Sequence, residues 1–145
     1  MRGLDAVRSY RKNAIRFHMP RTEIRLFRTG ANGTTPILDW LAYLEVREPR
    51  AYHKCLERVL VLSHLGSELR RPHVDMLRDG IRELRFRVGT VQYRILYAFC
   101  GANIAFLSHG FTKEGDIPDS EIDLAVKRKK LVEHDPDKYT AEWGE

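Results

Sequence analysis

Two stretches of this sequence place cations where they could share an anion. Along Ile81–Val88, Glu83, Arg85 and Arg87 alternate with Leu84, Phe86 and Val88. Along Val91–Phe99, the residues Val91, Tyr93, Ile95, Tyr97 and Phe99 alternate with Gln92, Arg94 and Leu96. Period two is the signature of a half-buried strand. If the apolar sides pack inward, Glu83, Arg85, Arg87, Gln92 and Arg94 are left together on the other side. Clustered guanidinium groups repel one another, and a phosphate gripped by the planar fork of Arg relieves that repulsion. The same residues also suit a solvated strand face, where Arg is common and Glu83 pairs with a neighbour. His109, close to Lys113 at the end of a third strand-like run, is the histidine placed to join such a site.

Other chemistries lack their residues. There is no Walker-type phosphate loop and no Gly-x-Ser-x-Gly elbow. His18, His53, His64, His73, His109 and His134 form no metal-ligand pairs. His53 and His64 fall on one predicted helix, yet about three turns apart, too far to share an ion. Cys55 and Cys100 match neither a zinc spacing nor a disulfide framework, and the reading is a reducing, cytoplasmic setting. No apolar run reaches the length of a membrane helix, and no signal-peptide core opens the chain.

Elements of regular structure must position these residues. Glu23–Arg28 reads as a first strand, and Gly30–Gly33 as a turn. Thr34 or Thr35 before Pro36 caps a helix that buries Ile37, Leu38, Trp40, Leu41 and Leu44 and stops before Pro49. A second helix runs from about Pro49 to Leu65, with Gly66 as its stop. The two form a hairpin that must cover the sheet. Ile81–Val88, Val91–Phe99 and Ile104–Phe111 then make an antiparallel meander, turned at Gly89–Thr90 and Gly101–Asn103. A last helix spans about Pro118–Val132. Its Lys127, Arg128, Lys129 and Lys130 suit the helix C-terminus. The expected fold is one α+β domain at residues 23–133, with a sheet of about four strands, a helical hairpin before it and a helix after it.

The chain has 145 residues, enough for one domain with a real core. Its 25 basic and 20 acidic residues give a net charge of +5, and Arg dominates the basic set. Residues 1–34 carry eight basic and two acidic side chains, so the remainder is close to neutral. Residues 1–22 are read as a basic extension and residues 134–145 as a loosely packed acidic tail. The balance leans toward nucleic acid or an acidic protein partner.

A set of short motifs adds a resemblance. They are Thr35-Pro36 with Asp39-Trp40-Leu41, Leu65-Gly66-Ser67-Glu68-Leu69 with Arg71-Pro72-His73, Leu77-Arg78-Asp79-Gly80, and Glu83-Leu84-Arg85. Tyr93-Arg94-Ile95-Leu96-Tyr97, His109-Gly110-Phe111-Thr112-Lys113 and Ile117-Pro118 with Glu121-Ile122 and Ala125 follow in order. Across about three-quarters of the chain the sequence resembles the phage-derived Gp49-like, HigB-type branch of the RelE/ParE toxin superfamily. That resemblance implies a RelE-like domain acting as the toxin of a type II toxin–antitoxin pair. Its activity would be metal-free, cofactor-free cleavage of ribosome-bound mRNA, held in check by a helix-turn-helix, HigA-like antitoxin in a hetero-oligomer. By the same resemblance Arg94, Arg85 and Lys113 match basic active-site positions, and His109 is the proton-transfer group, with Tyr97 second. Arg87, Arg82, Arg78 and Tyr97 complete the expected RNA-contacting set. On this reading Arg94→Ala abolishes toxicity and leaves the fold intact.

Two departures stand out. Glu114 follows Lys113 where the family pairs lysines, and a carboxylate there weakens a phosphate site. Ile117 replaces the threonine that caps the last helix, which leaves Asp116 or Asp119 to do so. Two other functions share the fold: a ParE-like toxin that binds DNA gyrase without catalysis, and a phage remnant that acts only through its antitoxin.

Overall fold

Both long alternating runs fold as strands, and the polar residues between them set where the chain turns. The computed structural model describes residues 22–143; the basic extension lies outside the described residues except for Thr22. Thr22 is buried and donates its N–H to the Ser63 carbonyl at 2.9 Å.

The elements are β1 (Glu23–Phe27), α1 (Pro36–Arg47), α2 (Pro49–Leu65) and a 3-10 turn (Gly66–Glu68). Then come β2 (Val74–Met76), β3 (Arg82–Val88), β4 (Val91–Phe99), β5 (Ile104–Thr112), α3 (Asp119–His134), α4 (Pro136–Tyr139) and β6 (Thr140–Glu142). One sheet runs in the order β2-β3-β4-β5-β1-β6, with β1 parallel to β5 and every other pair antiparallel.

Six strands replace the expected four, and the two additions are three-residue edge strands. Val74-Asp75-Met76 is too short to show a period, and its pairing with Leu84, Glu83 and Arg82 makes it a strand. The acidic tail is likewise not loose. Thr140, Ala141 and Glu142 pair with Phe27, Leu26 and Arg25, and Trp143 is buried in the core.

The sheet has two covered faces. On the first, Ile24, Leu26, Leu84, Phe86, Tyr93, Ile95, Tyr97 and Leu107 meet Leu41 and Leu44 of α1 and Tyr52, Leu56, Val59 and Leu62 of α2. On the second, Phe27, Leu96, Ala98 and Phe106 meet Ile122, Ala125 and Val132 of α3. The second face is therefore not a bare charged surface. α3 covers its apolar part, and the charged residues occupy the remainder.

Several motif residues serve this packing. A Cβ on Gly110 would lie 2.3–2.7 Å from the Trp40 ring, so only glycine lets β5 pass beneath α1. Pro36 and Pro49 open α1 and α2, where a missing N–H costs nothing. Thr35 precedes α1 without a side-chain cap bond. Pro118 occupies the cap position of α3, again without a side-chain bond, so neither Asp116 nor Asp119 takes the expected capping role. Asp119 and Glu121 in its first turn still favour the helix dipole.

Candidate functional site

Cross-strand register builds the site on the second face. Glu83, Leu96 and His109 stand in one row, and Arg85, Arg94 and Phe111 in the next. Arg87 lies opposite Gln92, whose carbonyl accepts the Lys113 N–H at 3.2 Å. A bulge in β5 helps set these rows. The pairing jumps from Leu96↔His109 to Tyr97↔Leu107, which leaves Ser108 as the extra residue.

Arg94 is only 7% exposed, and the structure corrects its expected place among open phosphate-binding groups. Its Nε donates to the Lys113 carbonyl at 2.9 Å and its Nη2 to the Gly115 carbonyl at 2.5 Å. Its Nη1 lies 3.0 Å from Glu83 Oε2, and Glu83 is 2% exposed. Burial raises the Glu83 carboxyl above its ordinary pKa, while Arg94 and Arg85 pull it back. This is a buried ion pair. Through its bonds to the two carbonyls, Arg94 also fastens the β5–α3 loop to the sheet.

Arg85 is half-buried, with Nη2 3.5 Å from Asp75 Oδ2 on β2. Asp75 Oδ1 also accepts from Arg71 Nη2 at 2.7 Å and Nε at 3.1 Å. The hydrogen bond from Arg71 is the largest cause that holds the Asp75 carboxyl below its ordinary range. Arg87 is exposed; its Nη1 donates to the Thr90 carbonyl at 2.9 Å, and its Nη2 lies 3.4 Å from Glu114 Oε2. Glu114 Oε1 accepts the Gln92 N–H at 3.1 Å. Lys113 is exposed beside this loop.

His109 is wedged between sheet and helix. Its Nε2 lies 3.1 Å from Glu121 Oε2 on α3, and its Nδ1 2.8 Å from Ser108 Oγ. One tautomer satisfies both: Nε2–H donates to Glu121, and the serine hydroxyl donates to Nδ1. The ring stacks on Phe111 with centroids 5.5 Å apart. Burial lowers the imidazole pKa; Glu121 opposes that shift and Arg128 adds to it. Arg128 donates to the Ser108 carbonyl at 2.8 Å and lies over the Phe27 ring. In the tautomer above, Nδ1 is the acceptor nitrogen of the ring.

Three expected RNA-contacting residues fall elsewhere. Tyr97 is 0% exposed within the hairpin-side core, and burial pushes its phenol up to about 12. The phenol is thus enclosed on the face opposite Arg85 and Arg94. Arg82, opposite Tyr97, places its guanidinium 4.9 Å from the Phe99 ring centroid on that same face. Arg78 pairs with Asp79 and with Asp123 of α3. The period-two alternation that groups Arg85 with Arg94 already separates both from Tyr97 and Arg82. Sequence reasoning gave Glu114 no structural partner and Glu121 only a helix-start role, because their partners lie 22 and 12 residues away.

Among the described residues, no group of three or more His, Cys, Asp or Glu is placed to hold a metal ion. No described helix is long and apolar enough to cross a membrane. No curated protein matches the sequence closely enough to be named as a relative. The model of the phage-derived Gp49-like protein family (DUF891) does match, over residues 39–130. That span runs from within α1 through most of α3, and with it the buried Glu83–Arg94 pair, the His109–Glu121 contact and the Trp40–Gly110 packing. It covers more than half of the chain, which therefore belongs to the Gp49-like family of RelE/ParE-like toxins.

Proposed function

We propose that this chain is the HigB-type toxin of a type II toxin–antitoxin pair and cleaves mRNA on the ribosome. The observation that carries the reading is that Arg85 and Arg87 on β3 and Lys113, just after β5, lie toward the open end of the sheet face that also holds His109 of β5. In the reaction a ribose 2′-oxygen forms a bond to the adjacent phosphorus as the bond to the 5′-oxygen breaks. The products are a 2′,3′-cyclic phosphate and a 5′-hydroxyl. Arg85, Arg87 and Lys113 stabilise the charge that builds on the phosphoryl oxygens. His109 takes the 2′-OH proton, and Lys113 supplies a donor for the leaving oxygen. Arg94 acts as a positioning residue through the carbonyls of Lys113 and Gly115.

The partner protein is a helix-turn-helix, HigA-like antitoxin whose acidic segment covers the arginine face in the cytoplasm, by electrostatic complementarity. The test is primer-extension mapping of an mRNA on programmed ribosomes, with wild type beside Arg85→Ala. Cuts at A-site codons that disappear in the variant support the nuclease. An intact mRNA under a folded protein and translating ribosomes sinks it. The internal use of Arg94 favours the second reading, a ParE-like inhibitor of DNA gyrase, because it leaves fewer cations free for a phosphate. Inhibition of supercoiling that survives Arg85→Ala selects that reading.

A further inference from the structure

Glu114, beside Lys113 in the loop after β5, makes two polar contacts of its own. Its carboxylate spans two donors: the Gln92 backbone N–H at 3.1 Å from Oε1 and Arg87 Nη2 at 3.4 Å from Oε2. Both side chains of the ion pair are largely solvent-exposed. A depression of about 370 Å³ adjoins Glu114 and is bordered by Gln92, Thr112 and Lys113. The Gln92 N–H and the Arg87 guanidinium already hold one anionic group here, and Lys113 adds a positive charge on the border of the same depression, a set of donors that suits a phosphate. A carboxylate offers two of the acceptor oxygens that a phosphate would offer.

We propose that the Arg87–Gln92–Lys113 corner is a phosphate-binding subsite, and that Glu114 occupies it as an internal substitute for an RNA phosphate. The identity of the ligand as RNA rests on the nuclease reading above; the anion site itself does not. Exchange is cheap, because an exposed carboxylate–arginine contact contributes little stability and is screened by salt. Arg94 holds the carbonyls on either side of Glu114, so the loop backbone stays seated while the side chain swings out. Glu114 thereby weakens RNA binding without removing the site, and it sets a threshold that a strand with enough other contacts must exceed.

The Gln92 amide gives a readout that does not depend on catalysis. Its NMR resonance is followed during titration with inorganic phosphate, and then with a short single-stranded oligonucleotide carrying 2′-O-methyl groups. Wild type, Glu114→Gln, Arg87→Ala/Glu114→Gln and Glu57→Gln are compared. Glu57 is an exposed carboxylate on α2 and controls for net charge alone. In Glu114→Gln both probes are expected to move the Gln92 amide saturably and to bind roughly 3- to 10-fold more tightly than in wild type. The salt dependence of oligonucleotide binding should steepen by about 0.7 in log–log slope, as one further phosphate is neutralised. The gain should vanish when Arg87 is also removed and be absent in Glu57→Gln. No saturable movement of Gln92 in Glu114→Gln, or an equal gain in Glu57→Gln, overturns the subsite. Phosphate binding without oligonucleotide binding keeps the anion site and overturns its assignment to RNA. Oligonucleotide binding at Gln92 without mRNA cleavage by the wild type keeps the subsite and removes the nuclease reading.

Discussion

Ile95 and Arg94 are neighbours on one strand, and their side chains enter two very different layers. Ile95 lies in the apolar core beneath the helical hairpin, among Leu84, Tyr93, Leu41 and Leu56. Arg94 points to the opposite face and is almost as enclosed, but it neutralises Glu83 and holds two loop carbonyls. The first face is held by contacts that any well-shaped apolar residue can make. The second depends on charges that tolerate burial only together. Depth alone therefore does not distinguish core from site: the site proposed above lies where the charges of the second face are less enclosed, at Arg85, Arg87 and Lys113.

Truncations at these two positions make the sharpest contrast. Arg94→Ala leaves Glu83 buried without its partner and is expected to cost about 3–5 kcal/mol. Ile95→Ala, which opens a cavity, is expected to cost about 2–5 kcal/mol. Urea denaturation measures both. Only the Arg94 variant should recover when its partner is also made apolar, as Glu83→Leu with Arg94→Met. A stable, inactive Arg94→Ala would return Arg94 to the role of an open phosphate ligand.

Gly110→Ala comes next in size. The added methyl meets the Trp40 ring, and the overpacking should cost about 1–3 kcal/mol. A fully stable Gly110→Ala would mean that α1 yields more easily than its packed face suggests.

The pH dependence separates the faces again. The Glu83 carboxyl is raised above its ordinary pKa, so the folded protein binds that proton more tightly than the unfolded chain does. Wild-type stability from this group is then greatest at low pH and declines as pH rises from the ordinary glutamate range through the raised one. Compared across that window, the stability difference should move in favour of Glu83→Gln as pH increases. His109 has the opposite slope: its lowered pKa costs stability as pH falls below the ordinary imidazole range, and His109→Gln should remove that loss. Either slope running the other way would contradict the burial that sets these shifts.

The smallest stability effect belongs to the open end. Arg85→Ala should stay within about 1 kcal/mol of wild type, since its pair with Asp75 is partly solvated. Its mRNA cleavage should nonetheless fall by about 100-fold, as the loss of a charge-stabilising donor does in other active sites. A large loss of stability here would mean that the second face is structural throughout.

Much of this architecture is legible along the chain. The alternation in Val91–Phe99 gives β4 its bounds, and Pro36, Pro49 and Gly66 mark the ends of α1 and α2. The grouping of Arg85, Arg87, Gln92 and Arg94 on one face follows from the same period. The edge strands β2 and β6 were not legible, because three residues carry no period and become strands only through β3 and β1. At the candidate site, residue types could be read but their partners could not. Nothing near Arg94 in sequence says that Glu83 and the carbonyls of Lys113 and Gly115 consume its donors. Nothing near Glu114 says that its carboxylate rests on Gln92 and Arg87.

The sequence by itself determined which side chains share a face, because side-chain direction in a strand is fixed locally by backbone geometry. Its motifs also identified the toxin family. Only the tertiary structure decided which charges are spent and which remain free. That follows from burial: whether an arginine is a structural tie or an open anion site depends on the segments folded over it, and those arrive from ten to thirty residues away.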